Sequence, residues 1–174
     1  MLQRVISGGQ TGADQAGVRV AARFGYATGG WMPRGFITLD GPNPEFAAEY
    51  HLQEHPEGYA ARTWANVRDS DATIRLAGTF ASSGEKCTLR AIRHYGRPHF
   101  DVLKSDPPAP DAVVDWLLAH EVRVLNIAGN AERISPLAKA HGITEFVTEY
   151  LTQVLTRYEQ RLATYLLAES PPAA

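Results

Sequence analysis

Short apolar runs alternate with helical segments along most of the chain, and this alternation constrains the fold more than any other feature. Residues 2–7 form a β-branched run that ends at a glycine pair, and residues 12–24 follow with small and apolar side chains at helical spacing. The same kind of apolar run returns at residues 72–77 and 123–128. Strands that alternate with helices predict parallel βαβ units, so we expect a doubly wound α/β fold with a mainly parallel sheet. The sequence does not give the strand order.

The same periodicities predict the remaining regular elements. These are strands over residues 26–31 and 98–103, and helices over residues 59–67, about 86–95 and 112–120. Residues 36–58 show no convincing period and contain three prolines. We expect them to form a long loop, which in a compact domain is typically a lid, a binding loop or an oligomer contact.

Residues 143–167 carry apolar and aromatic side chains at three- and four-residue steps, which predicts a long amphipathic C-terminal helix. Most of this stripe should be core. If it is wider than the domain can cover, the surplus predicts a homo-oligomer, most simply a dimer.

The length and charge of the chain limit the possible functions. At 174 residues, we expect one domain over residues 1–168 and a disordered tail over 169–174. The net charge of −2 offers no basic field for nucleic acid or an anionic membrane. We see no targeting segment, and no apolar stretch reaches the ~18 residues that span a bilayer. A single cysteine, Cys87, fits a reducing compartment, so we expect a cytoplasmic protein.

Glycine and small hydroxyl residues follow several of the predicted strands. The loops concerned are residues 7–14, 29–35, 78–86 and 129–130. In a parallel sheet these loops gather at the carboxyl edge, where ligands bind. Each loop taken singly could be an ordinary turn with a helix cap, but their convergence favours a site for an anionic, phosphate-bearing ligand. The candidate donors are the hydroxyls of Thr11, Ser82, Ser83 and Thr88 and the ammonium of Lys86.

Two charged residues should lie near this edge. Arg62 falls in the first turns of its helix and could bind a phosphate through two hydrogen bonds, or pair with a surface acid. Asp14 falls in the first turn of the first helix, where it could bind a ribose hydroxyl, a metal or a ring nitrogen, or simply favour the helix dipole.

Other polar groups are expected to be structural. Asp69 and Asp71 precede a strand, so they should lie at the opposite edge and serve helix termination and packing. His51 and His55 are four residues apart without the glutamate of a zinc-protease motif, so we expect no metal site. Cys87 is expected to be a small buried apolar residue.

Four segments together resemble a known family. They read SGGQTGAD at residues 7–14, GGWMPRG at 29–35, RTWANVRDSDAT at 62–73 and LNIAG at 125–129. They resemble the "putative molybdenum carrier" family, also described as a circularly permuted YpsA-like family within the Smf/DprA–LOG group of Rossmann-like nucleotide-binding proteins. The matching order covers about residues 3–130.

The resemblance implies a Rossmann-like sheet and a site for a nucleotide or for the phosphate of a molybdopterin-type cofactor. Carried over by position, with Lys86 added from its loop, the expected binding residues are Gly8, Gly9, Gln10, Thr11, Gly12, Asp14, Gly30, Arg62, Ser82, Ser83, Gly84, Lys86 and Gly129.

The sequence also departs from its wider group. The phosphoribohydrolase branch has a Pro-Arg-x-x-Glu motif, whereas Pro33-Arg34 is followed here by Gly35-Phe36-Ile37. No glutamate follows Thr88 at the required step. We therefore predict a ligand-binding, carrier-like protein. The alternative is a hydrolase that cleaves an N-glycosidic or phosphate bond of a nucleotide, with Asp14 or Glu85 as acid and base.

Overall fold

The computed structural model describes residues 1–133 and 137–169. The strands are β1 (Arg4–Ser7), β2 (Ala27–Met32), β3 (Ile37–Thr38), β4 (Gly41–Pro42), β5 (Leu52–Glu54), β6 (Ala72–Ala77), β7 (His99–Leu103) and β8 (Val124–Gly129). The helices are α1 (Ala13–Arg23), α2 (Pro44–Glu49), α3 (Tyr59–Arg68), α4 (Ser83–Tyr95), α5 (Pro110–Ala119) and α6 (Ile143–Glu169). A 3-10 turn covers Arg34–Phe36.

Six of the strands form one parallel sheet in the order β5-β2-β1-β8-β6-β7. Helices cover both faces: α1, α5 and α6 pack together on one side, and α3 packs against α4 on the other. This arrangement confirms the predicted Rossmann-like α/β fold. The last strand in the sequence, β8, is inserted between β1 and β6. Because the chain leaves β1 towards β2 and leaves β6 towards β7, a crevice opens at the carboxyl ends of β1, β8 and β6.

The main core lies between the sheet and the helices α1, α5 and α6. The long helix α6 contributes a stripe of buried side chains from Ile143 to Tyr158 at helical spacing, as its sequence predicts. Leu162 still packs, partly buried, against this core, and Leu167 further along the helix is exposed. The predicted tail lies almost wholly outside the described residues, which end at Glu169 within α6. The predicted dimer stays a prediction.

The loop prediction for residues 36–58 is wrong. This stretch contains the hairpin β3–β4, the helix α2 and the edge strand β5. The Asn43 side chain caps α2 by accepting a hydrogen bond from the Phe46 N–H at 3.1 Å. Phe46 and Leu52 then bury against Val18 and Met32 in a second apolar cluster. Strands of two or three residues are too short to show a period, so the sequence could not reveal them.

Tyr158, the most buried tyrosine of α6, bonds to the chain just before β1. The Leu2 N–H donates to the Tyr158 hydroxyl at 2.8 Å, and the Tyr158 side chain is almost fully buried. Replacing Tyr158 with Phe leaves this buried N–H without its acceptor, and an unsatisfied buried donor costs free energy.

We expect Tyr158→Phe to lower the free energy of unfolding by about 1–3 kcal/mol. Chemical denaturation followed by circular dichroism measures this change. Tyr95→Phe is the matched control, since Tyr95 is partly exposed and its ring contacts with Trp64 and His94 survive the substitution. Equal stability of the two variants would contradict the role assigned to this hydrogen bond.

Candidate functional site

A cavity of about 710 Å³ opens at the carboxyl ends of β1, β8 and β6. Its walls come from the loops that follow these strands, from the first turns of α3 and α4, and from residues after β8. Of the predicted binding residues, seven line it: Gln10, Asp14, Arg62, Ser82, Ser83, Gly84 and Gly129. This is the edge of the sheet where the sequence places a ligand.

A buried carboxylate and a guanidinium form one wall of the cavity. Arg62 Nη1 lies 3.3 Å from Asp14 Oδ2, with only 4 % of the Asp14 side chain and 11 % of the Arg62 side chain exposed. The Gln10 N–H donates to the same carboxylate oxygen at 3.3 Å. Burial raises the pKa of Asp14, while the Arg62 charge and the backbone N–H groups of Gln10, Gly8 and Gly129 oppose that rise.

The backbone donors of the loop after β1 are used inside the protein. Gly9 N–H donates to the Ser7 hydroxyl at 3.2 Å, and Thr11 N–H donates to the Gln10 side-chain oxygen at 2.9 Å. Those of Gly8 and Gln10 face Asp14. The sequence suggested Asp14 as a ligand contact and the N–H groups of this loop as donors to an anionic ligand. In the structure, the N–H groups of Gly8 and Gln10 serve Asp14 itself.

Glycine is required at position 8 by this arrangement. A Cβ atom there would lie 1.6 Å from Arg62 Nη1 and 2.7 Å from Asp14 Oδ2. The guanidinium could not then stay beside the carboxylate. Gly8 thus holds open the space in which the ion pair forms, and it does not itself line the cavity.

Three other predicted glycines and Thr11 also lie outside the cavity lining. A Cβ on Gly9 would meet Met32 at 2.6 Å, and one on Gly30 would meet the Ser7 carbonyl oxygen at 2.1 Å. A Cβ on Gly12 would meet the Asn130 carbonyl oxygen at 2.5 Å. These glycines permit close packing of backbone and core, so a bulky residue at Gly9 would disturb the apolar cluster as well as any binding.

The start of α4 forms the opposite wall. The Ser82 hydroxyl caps the helix by accepting from the Glu85 N–H at 3.2 Å. Ser82, Ser83, Gly84 and Thr88 line the cavity. Among the described residues, no acceptor binds the N–H groups of Ser83 and Gly84. The helix begins three residues earlier than predicted, so Lys86 lies within α4, where it is exposed and does not line the cavity.

Glu85 lies behind this wall in a polar network. Its carboxylate accepts from the Asn130 side-chain nitrogen at 3.3 Å and lies 3.6 Å from Arg75 Nη1, with the Glu85 side chain 2 % exposed. Arg75 also pairs with Asp101. The Asn130 side-chain oxygen accepts from the N–H groups of Gly78 and Thr79, at 2.9 and 3.0 Å. The network therefore fixes the loop after β6, and Glu85 itself does not reach the cavity.

Sequence reasoning missed three cations of the lining. Arg90 lies on α4, and Arg133 and Lys139 lie after β8. With Arg62, the described lining residues therefore include four basic side chains and one carboxylate, that of Asp14. Arg133 could have been found by following the chain beyond the glycine that ends β8. Lys139 could not, because its position depends on how this segment folds back: a Cβ on Gly78 would lie 1.8 Å from the Lys139 carbonyl oxygen.

The structural role expected of Asp71 is confirmed by the geometry. Asp71 accepts from the N–H groups of Arg123 and Val124, at 2.9 and 2.8 Å, on the far edge of the sheet. Asn66 lies deeper than Arg62 and pairs with the backbone of Trp31. The expectation that Cys87 is a small buried apolar residue is wrong, because Cys87 is partly exposed as a free thiol in the cavity lining.

The described residues, 1–133 and 137–169, contain no cluster of three or more metal-binding side chains. None of their helices combines the length and the apolar character needed to cross a membrane.

The buried network predicts a pH dependence of stability. Burial raises the pKa of Glu85 from its usual 4.5 to about 7, with Asp14 and Asp101 adding to the rise and Arg75 and Asn130 opposing it. Between these two values the unfolded chain has lost a proton that the folded chain keeps, so stability falls as the pH rises. Since one pKa unit corresponds to about 1.4 kcal/mol, the total loss is about 3 kcal/mol.

We therefore expect Glu85→Gln to remove much of the fall in stability between about pH 4.5 and pH 7. Urea denaturation at intervals across this range measures it. Glu149→Gln, an exposed change on α6, should keep the wild-type profile. A Glu85→Gln profile as steep as that of the wild type would contradict the prediction.

Comparison with known proteins agrees with this architecture. The chain matches the model of the circularly permutated YpsA SLOG family over residues 5–155. Its structure is similar to the crystal structure of a "putative molybdenum carrier protein" from Syntrophus aciditrophicus SB, with a TM-score of 0.78 and 32 % sequence identity over 88 % of this chain and 95 % of that chain. No curated protein matches it significantly. The chain therefore belongs to the circularly permutated YpsA SLOG family.

Proposed function

We propose that the protein binds a small phosphate-bearing molecule, a nucleotide or a molybdopterin-type cofactor, in the cavity at the carboxyl ends of β1, β8 and β6. The observation that carries this proposal is the excess of cations there. Four basic side chains and one carboxylate line the cavity within the described residues, although the whole chain has a net charge of −2. A local positive field in an acidic protein favours an anionic ligand.

The anion would rest on the start of α4. The N–H groups of Ser83 and Gly84 have no acceptor among the described residues, and the hydroxyl groups of Ser82, Ser83 and Thr88 lie in the same wall. The positive end of the α4 dipole adds to this attraction. The loop after β1 is less suited to the anion, because its N–H groups already serve Asp14 and neighbouring acceptors.

The size and lining of the cavity suit a ligand larger than phosphate alone. A volume of about 710 Å³ lies within the ~300–1,000 Å³ that is usual for small-molecule sites. Leu39 and Tyr59 provide apolar and aromatic surface beside the polar groups, which a base or a pterin ring could cover. The description of the structural relative as a molybdenum carrier supports the second of the two ligand classes.

The hydrolase alternative has less support. Acid–base cleavage of a glycosidic bond typically uses two carboxyl groups beside the reacting bond. Of the two candidates, Asp14 lines the cavity and Glu85 lies behind its wall. We therefore expect binding without turnover, so incubation with AMP should release neither adenine nor phosphate.

A carboxylate placed at the start of α4 tests the proposal. A Cβ on Gly84 would have no atom within 4 Å, so a longer side chain fits without disturbing the fold. We expect Gly84→Glu to weaken the binding of AMP and of pterin phosphates by about tenfold or more, because it adds a negative charge beside the anion. Isothermal titration calorimetry measures the affinities.

Gly84→Gln is the matched control, since it adds the same bulk without the charge. Its affinity should lie within about threefold of the wild-type affinity. Both variants should show a cooperative thermal unfolding transition, as a folded protein does. Equal binding by Gly84→Glu and Gly84→Gln would contradict the placement of the anion. Absence of binding by the wild-type protein to the whole panel would contradict the proposed function.

A further inference from the structure

The proposed function leaves open which end of the ligand faces the Asp14 wall. Asp14 is buried, yet its side chain contributes to the cavity lining together with Gln10, Arg62 and Gly129. It is the single carboxylate in that lining among the described residues. A group with this position meets whatever occupies the β1 side of the cavity.

The Asp14 carboxylate makes this wall unfavourable for a phosphate group. The Arg62 charge is paired with Asp14 at 3.3 Å, so it offers little net positive charge to a second anion. The N–H groups of Gly8, Gln10 and Gly129 interact with the same carboxylate. A phosphate at this point would meet a negative charge, and the backbone N–H groups beside it already serve the protein's own carboxylate.

An uncharged group that donates hydrogen bonds suits the same wall. Ionised carboxylate oxygens only accept hydrogen bonds, and those between an ion and a hydroxyl or N–H group are stronger than those between neutral groups. The hydroxyl and N–H groups of a sugar or a base are donors of this kind. Tyr59 and Thr63 of α3 continue the wall beside Arg62 and provide surface against which such a moiety can pack.

We propose that a nucleoside monophosphate binds with its phosphate towards α4 and with its uncharged, donor-bearing end, a sugar hydroxyl or a base amine, on the Asp14 carboxylate. This orientation rests on the proposed function and makes Asp14 a specificity-determining residue. It also commits the site to nucleotides, of the two ligand classes in the proposed function.

The test compares ligands that carry the same phosphate, so that changes in overall charge cancel. Wild-type protein and Asp14→Asn are titrated calorimetrically with AMP, with 2′,3′-dideoxy-AMP, which lacks both sugar hydroxyls, and with purine riboside 5′-monophosphate, which lacks the base amine. The wild type should bind one of the two analogues about tenfold or more weakly than AMP. In Asp14→Asn this preference should shrink to within about threefold, and the analogue that reveals it identifies the donor as hydroxyl or amine.

Asp115→Asn is the control, because Asp115 is an exposed residue of α5 that pairs with Arg161 away from the cavity, and it should keep the wild-type preference. If the wild type binds all three ligands with equal affinity, the proposed orientation is overturned. This outcome needs no variant, so the test remains decisive even if the Asp14→Asn protein is unstable. An unchanged preference in Asp14→Asn also overturns it. Binding of pterin phosphates without AMP overturns this inference alone, whereas no binding at all overturns the proposed function as well.

Discussion

The buried carboxylate of Asp14 is the group on which the cavity end of the molecule depends. Burying a charge is costly unless it is paired and hydrogen-bonded, and here the partners come from three separate parts of the chain. Gln10 and Gly8 contribute from the loop after β1, Gly129 from the end of β8, and Arg62 from α3. The carboxylate therefore holds these segments at fixed distances from one another. The side-chain-free Gly8 is a condition for this, because any Cβ there would displace Arg62.

The end of β8 connects this wall of the cavity to the other one. Gly129 faces Asp14, while Asn130, the next residue, binds Glu85 and both N–H groups of the Gly78-Thr79 loop. Arg75 and Asp101 extend this second network towards β7. Two adjacent residues thus anchor polar networks on both sides of the crevice. Such networks stabilise one arrangement of the loops, because each donor left without an acceptor in the interior would cost free energy.

Much of the architecture could be predicted from local patterns. Strand β6 and the long helix α6 follow directly from their apolar periodicities, and the glycine-rich loops lie at the edge of the sheet where parallel topology places them. The pattern failed over residues 36–58, where β3, β4 and β5 are only two or three residues long. It also misplaced Lys86, because α4 begins at Ser83 and Lys86 therefore lies within the helix instead of in the loop before it.

The sequence by itself determined the fold class, the family and the edge of the sheet at which the cavity lies, since these depend on periodicity and on the order of short motifs. Only the tertiary structure decided the roles of the residues within that site. It inserted β8 between β1 and β6, brought Arg62 to Asp14 across 48 positions of sequence and folded Lys139 over the loop after β6. It also showed that the donors of the first glycine-rich loop serve the protein's own carboxylate. Hydrogen-bond partners depend on distances between segments remote in sequence, and no local pattern encodes such distances.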